Sequence, residues 1–388
     1  PMRRRTSMGW YCRSTAAGWL ADMALSSHTL TAIETATITS RYPRTIGRNS
    51  FRGSHGSGGD STVVVLRTNH GASGWGLPLA GLGNPEALIG RNVAELIDPD
   101  AGVVEPSALA LDYPLHDLAA TILDLPVHAM LGGAGETTTP CYSGAIYLDD
   151  LDPESGPRGL VAIRDNLASD FAAGYRAFKL KLGRGYRWLP YDIGLQRDID
   201  VTRLARELYP DADILVDPND GFSLNAMSDY LAAVAEVGLF WIEEPFAERR
   251  EDLVRLRELL AGAGSKALIA DGEYDPRLPH LLALAADGLL DVALMDVIGF
   301  GLTAWRRVMP ELQALGVRAS PHAWGTPLKT LYAAQIAAGL GNVLTVEGVP
   351  GQTLGADTSG YVLADGLLTV PDAPGFGIPL VAAASAQR

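Results

Sequence analysis

Seven ionisable residues recur along the chain from residue 181 onward, each at the end of a short apolar run: Lys181, Asp217, Glu243, Glu273, Asp296, His322 and Glu347. The gaps between them are 36, 26, 30, 23, 26 and 25 residues. Each gap suits one strand, one helix and two connecting loops. Asp217 in ILVDPN, Glu243 in FWIEEP and Glu273 in IADGEY put three carboxylates on successive runs. Converging carboxylates need a counter-charge. A hard divalent cation with oxygen ligands, most simply Mg²⁺, supplies one and leaves positions for water and substrate oxygens. Glu244 beside Glu243, and Asp271 sharing strand parity with Glu273, stand as alternative ligands. Asp296, one strand before His322, suits an imidazole oriented by a carboxylate.

The stretch FKLKLG adds two lysines. Lys179 and Lys181 alternate with Phe178, Leu180 and Leu182, so a strand would turn both ammonium groups to one face. The chain holds only four lysines against 27 arginines. An arginine keeps its proton at ordinary pH, whereas a lysine can release one when its surroundings depress its pKa. The plainer reading is a sheet edge with two solvated lysines as gatekeepers. The shared phase of the seven strand ends favours chemistry instead. A cation holding a substrate carboxylate acidifies the neighbouring C–H, because it neutralises the enediolate that forms. Lys181, depressed by burial and by Lys179, is then the expected base, and His322 on the opposite side the expected proton donor.

Those side chains need a scaffold. Eight apolar runs, PCYSGAIYL, FKLKLG, ADILVDPND, GLFWIEEPF, KALIADGE, DVALMDVIG, VRASPHAWG and NVLTVEGVP, alternate with helical stretches. This predicts an α/β fold, a TIM-type (β/α) barrel of seven or eight units spanning 137–350 with its chemistry on one face. Residues 23–136 read as an α+β capping domain: two strands, a Gly-, Ser- and Arg-rich lid loop at 41–59, then helices. Arg48 and His55 in that loop are candidate substrate contacts. The turn-rich segment 351–388 is expected to pack back on the cap.

The totals bound the rest. At 388 residues, 47% hydrophobic and 20% charged, the composition is that of an ordinary globular protein. A net charge of −14 argues against nucleic acid or an acidic membrane surface as partner. Two cysteines make no disulfide framework, and no apolar run reaches the length of a membrane span, which points to the cytoplasm. Residues 1–22 read as a disordered or adventitious extension, with folded sequence beginning near Met23.

Together K-x-K in FKLKLG, D-x-N in VDPND, E-E-P in WIEEP, G-E in ADGEY, the Asp of LMDVIGFG, P-H in SPHAWG and the Glu of TVEG resemble the enolase superfamily, mandelate racemase subgroup. The resemblance runs from about residue 28 to the end. It implies Asp217, Glu243 and Glu273 as ligands of one Mg²⁺, with Mn²⁺ as a substitute. Lys181 would be one base with Lys179 its modulator, and His322 paired to Asp296 the acid/base of the other face. Glu347 would hydrogen-bond the enolised carboxylate, and Asn219 would neighbour the metal. The implied substrate is a small carboxylate, the implied reaction dehydration of an acid sugar to a 2-keto-3-deoxy acid, or racemisation or epimerisation by the same bases. Dimers or octamers are the implied assemblies. IGFG departs from the family's usual Gly-Gly turn, and the lid loop GRNSFRGSHGSGG, where the resemblance places substrate choice, does not itself assign a specificity. A Schiff-base aldolase would leave the three carboxylates unexplained, and a zinc hydrolase would want more histidines at strand ends. A non-catalytic acid-binding homologue is the remote alternative.

Overall fold

The computed structural model describes residues 16–81, 83–273 and 277–381. The eight apolar runs are strands: Thr138–Ile146, Ala177–Lys181, Asp213–Asp217, Trp241–Glu243, Leu268–Asp271, Val292–Ala293, Arg318–Ala319 and Val346–Gly348. They pair in parallel in that order, and the eighth returns to the first through Glu347↔Tyr142. A bridge between Ala319 and Val343 closes the ring between the seventh and eighth.

Each of the first seven strands is followed by a helix, and the eighth runs into the tail. The helices form because their apolar residues share one stripe. In Arg250–Gly262, Leu253, Leu256 and Leu260 are buried at helical spacing, each worth roughly 2 kcal/mol of burial. Alternation in the strands sorts side chains between two cores. Phe178 and Leu180 pack outward against the helices. Leu215, Trp241 and Val292 pack inward with Tyr142, and Ala177 leans on that inner cluster. Lys179 and Lys181 share the parity of Ala177 and are 1% and 3% exposed. The gatekeeper reading therefore fails: these lysines point into the barrel.

The cap is an antiparallel sheet of Leu30–Ile46, Gly56–Thr68 and Ser73–Gly76, backed by the helix Asp112–Ile122. The helix lies so close that a Cβ on Gly74 would meet the Leu118 backbone at 2.2 Å. The tail completes this unit. Gln352–Leu354 adds a strand beside Thr39–Arg41. Asp117 accepts the N–H groups of both Trp75 and Phe376 (2.8 and 2.7 Å), and Trp75 Nε1 donates to the Ile378 carbonyl.

Two expectations change. Strand pairing continues into the lid, through Arg41↔Gly58 and Ile46↔Gly56, so the loop of 41–59 contracts to residues 47–55. Glycines at 56 and 58, both at positive φ, let the returning strand bend there. At the other end, a helix Ala16–Ser26 begins inside the stretch read as an extension, with Leu25 fully buried. Residues 1–15 lie outside the described residues.

Candidate active site

Six of the seven strand-end residues sit at or just beyond the C-terminal ends of their strands, and Glu347 lies within the eighth; all are buried at one mouth of the barrel. Register explains the first contact. Lys181 is the direct cross-strand partner of Asp217, and its ammonium rests on Asp217 Oδ2. Asp217, Glu243 and Glu273 each offer an oxygen within 4.8 Å of the others. Asp271, the alternative to Glu273, instead takes the Gly272 N–H on Oδ1 (2.7 Å). Glu244, the alternative to Glu243, turns to the Asn219 amide (3.1 Å).

Lys179 lies deeper, 2.6 Å from Glu243 Oε1, 2.8 Å from Glu347 Oε1 and 3.5 Å from Asp217 Oδ2. Burial opposes its charge, but Glu243 and Glu347 outweigh that and hold its pKa well above the ordinary value. Lys181 differs from the sequence expectation. Burial and Lys179 do depress it, yet the Asp217 carboxylate wins and its pKa stands above that of a free lysine. With the protein alone, Lys181 is an ammonium.

On the far side, His322 Nδ1 meets Asp296 Oδ2 at 2.7 Å, and Nε2 lies 3.1 Å from Glu273 Oε1 and 3.7 Å from Glu347 Oε2. Asp296 caps the short helix Val297–Phe300, its Oδ1 taking the N–H groups of Ile298 and Gly299 (2.9 and 2.7 Å). IGFG is thus the turn that fixes the carboxylate. Burial raises the Asp296 pKa, but the His322 hydrogen bond and the Lys329 charge bring it far below the carboxylate range. Glu347 reaches about 2, because Lys179 and His322 overcome its burial. Its Oε2 accepts the Ala323 N–H (2.7 Å), and a Cβ on Gly144 would strike its Oε1 at 2.5 Å.

The weaker candidates divide. Asn219 is brought to the triad, its N–H on Asp217 Oδ1 at 2.8 Å. His55 stacks edge-on to Tyr147 (4.7 Å) and Trp324 (6.0 Å), with Nδ1 on the Gly47 carbonyl. Burial, aided by the Lys181 charge, holds its pKa below the ordinary value. Arg48 has partners within the protein: its guanidinium pairs with Asp152 (2.5 Å) and Glu154 (3.0 Å) and lies over Trp188. Short acidic neighbours from the first βα loop claim it.

Three residues escaped the sequence reading. Tyr147 places its ring 5.5 Å from Lys181 Nζ, and Trp324 lies 4.7 Å from Tyr147. Lys329 sets its ammonium on Asp296 Oδ2. Only the rarity of lysine in the chain could have flagged it. A cavity of about 540 Å³ opens over the site, lined by Glu273, Asp296, Trp324 and Lys329 from the barrel and Ser61 and Thr62 from the cap.

A closed ring of parallel strands under an α+β cap, with three acids at its mouth between a lysine and a histidine–aspartate pair, is the architecture of the enolase superfamily. Residues 162–384 match the model of the enolase C-terminal domain-like family, and the chain belongs to that superfamily, in its mandelate racemase subgroup. It is 32% identical to a galacturonate dehydratase from a Geobacillus species, solved with D-galacturonate and 5-keto-4-deoxy-D-galacturonate. The match covers 92% of this chain and 95% of that one, with a TM-score of 0.85. A mandelate racemase/muconate lactonizing protein from Geobacillus sp. Y412MC10, complexed with magnesium and tartrate, is also 32% identical, over 92% and 94% of the two chains, with a TM-score of 0.86. D-galactarolactone cycloisomerase of Agrobacterium fabrum is 27% identical across 70% of each protein. Among the described residues no helix is long and apolar enough to cross a membrane.

Proposed function

We propose that this protein abstracts the proton α to the carboxylate of an acid sugar in a Mg²⁺-dependent reaction and eliminates the β-hydroxyl as water. The observation carrying this reading is the placing of Lys181 and His322 on opposite sides of the acidic triad. Fit to a cation rests on charge and on a spare ligand atom. Asp217, Glu243 and Glu273 crowd three carboxylates within 4.8 Å of one another, and burial together with Asp217 and Glu273 holds the Glu243 pKa well above the carboxylate range, a crowding that a hard divalent ion would relieve. Glu273 Oε2 is buried with no hydrogen-bond partner among the described residues. Asp217, Glu243 and Glu273 would hold the ion, which when bound supplies positive charge for the enediolate.

Lys181 takes the α-proton as the neutral amine, for which its hold on Asp217 must loosen and its own proton must first pass to solvent. Lys179 keeps its own proton, tied to Glu243 and Glu347, and acts on Lys181 by repulsion. His322, its Nδ1 engaged by Asp296, uses Nε2 to protonate the departing hydroxyl. Glu347 would have to take up a proton, as the negative charge of a bound substrate beside it would favour, to donate a hydrogen bond to the enolised carboxylate, and Asn219 braces Asp217. The aromatic wall of Tyr147, His55 and Trp324 excludes water from the developing charge.

Dehydration is favoured over epimerisation because a 32%-identical structure is that of a uronic acid dehydratase. Epimerisation remains the second reading, since the same two groups could serve a 1,1-proton transfer, and an L-Lys-D/L-Arg epimerase is 27% identical over 69% of this chain. From the family resemblance and the sparse cysteines we further propose a cytoplasmic homo-oligomer, dimer or octamer. A library of mono- and diacid sugars with Mg²⁺ tests it, read as 2-keto acid formed and as α-deuterium incorporated in D₂O. Keto acid supports dehydration; exchange with inversion and no keto acid supports the epimerase; neither with any acid sinks both.

A further inference from the structure

We propose that Lys329 is a positioning residue of this reaction: its ammonium, laid on the same Asp296 oxygen that holds His322, locks the imidazole in its working orientation. The inference rests on the function proposed above. Lys329 is the third residue of the helix Pro327–Leu340, whose first turn carries no acid. A cation there faces the positive end of the helix dipole, where carboxylates are favoured. So the charge has a local cause.

That cause is a corner of two acceptors. Lys329 Nζ donates to Asp296 Oδ2 and, at 2.8 Å, to the Trp324 carbonyl. A compact ammonium suits such a corner; a planar guanidinium, which 27 of the chain's 31 basic side chains carry, does not. Asp296 is then filled on every side. Ile298 and Gly299 donate to Oδ1, His322 and Lys329 to Oδ2. A carboxylate offers about four acceptor positions, so this one cannot rotate without losing a partner. The ammonium therefore joins the ends of the sixth and seventh strands to the helix Pro327–Leu340, and Nε2 of the ring faces Glu273. Lys181 stands on Asp217 at the other side and shares none of these contacts.

Loosening Lys329 should therefore harm the step of His322 and spare that of Lys181. The test compares Lys329→Met and Lys329→Gln with wild type, as metal-loaded protein turning over an acid sugar in D₂O. Dehydration should fall at least about tenfold, the scale expected for a misplaced acid group, while α-proton exchange stays within about threefold. Equal loss of both rates, as from simple destabilisation, or loss of neither, overturns the inference. A second readout needs no turnover. The His322 ring proton bonded to Asp296 should give a downfield proton resonance, assigned by its absence in His322→Asn. Broadening or shift of that signal in Lys329→Met supports the inference, and an unchanged signal overturns it. Should wild type neither exchange nor dehydrate any acid, the proposed function falls while the resonance still decides the role of Lys329.

Discussion

Lys181 and Asp217 are direct cross-strand partners at the ends of adjacent barrel strands, and their charged groups touch inside the barrel mouth. One register thus couples the expected base to an expected metal ligand. The pair keeps Lys181 protonated until something competes for Asp217. On the function proposed above, substrate chemistry and metal loading would be linked through that single carboxylate.

Removing either proton-transfer group should therefore be severe and selective. Lys181→Met should abolish both α-deuterium exchange and dehydration, and His322→Asn should abolish dehydration, each by roughly 10²–10⁴-fold. Magnesium affinity by calorimetry should stay nearly intact in His322→Asn. Substantial dehydration by either variant would remove the role assigned to that residue.

The choice between Glu273 and Asp271 is open to direct titration. Glu273→Gln should weaken Mg²⁺ binding by about 100-fold or more, whereas Asp271→Asn should change it little, because only Glu273 lies in the triad. The reverse ranking would reassign the third ligand.

Gly144 offers a test of Glu347. A methyl group at that position would meet Glu347 Oε1 at 2.5 Å, and the movable carboxylate would give way before the backbone. Gly144→Ala should cost less than about 2 kcal/mol in denaturant unfolding, near the low end for overpacking, while kcat falls tenfold or more. An unchanged kcat would argue that Glu347 does not touch the reacting carboxylate.

Stability should depend on pH through the joint between cap and tail. Burial pushes Asp117 up to about 7, although the Phe376 and Trp75 N–H groups pull it down. A folded-state pKa raised above the unfolded value means the native protein binds the extra proton. Its contribution is therefore greatest below about pH 4 and is lost as pH rises to about 7. Measured against Asp117→Asn, wild-type stability should decline across that window. A flat difference between the two proteins would show that Asp117 titrates normally.

Much of this molecule was legible locally. Parallel strands buried on both faces read as apolar runs, and a βα repeat returns each strand end to the same face, so the phase of seven residues implied one site before any contact was known. The K-x-K alternation likewise determined that both lysines share a face. Tertiary structure alone decided what those groups meet. Whether Lys181 is charged is a balance among burial, Lys179 and Asp217 that depends on distances across strands. Arg48 went to Asp152 and Glu154, and Lys329 to Asp296, because folding brought together segments that carry no local mark of their partners. Periodicity is a property of neighbours along the chain; pairing of charges is a property of neighbours in space.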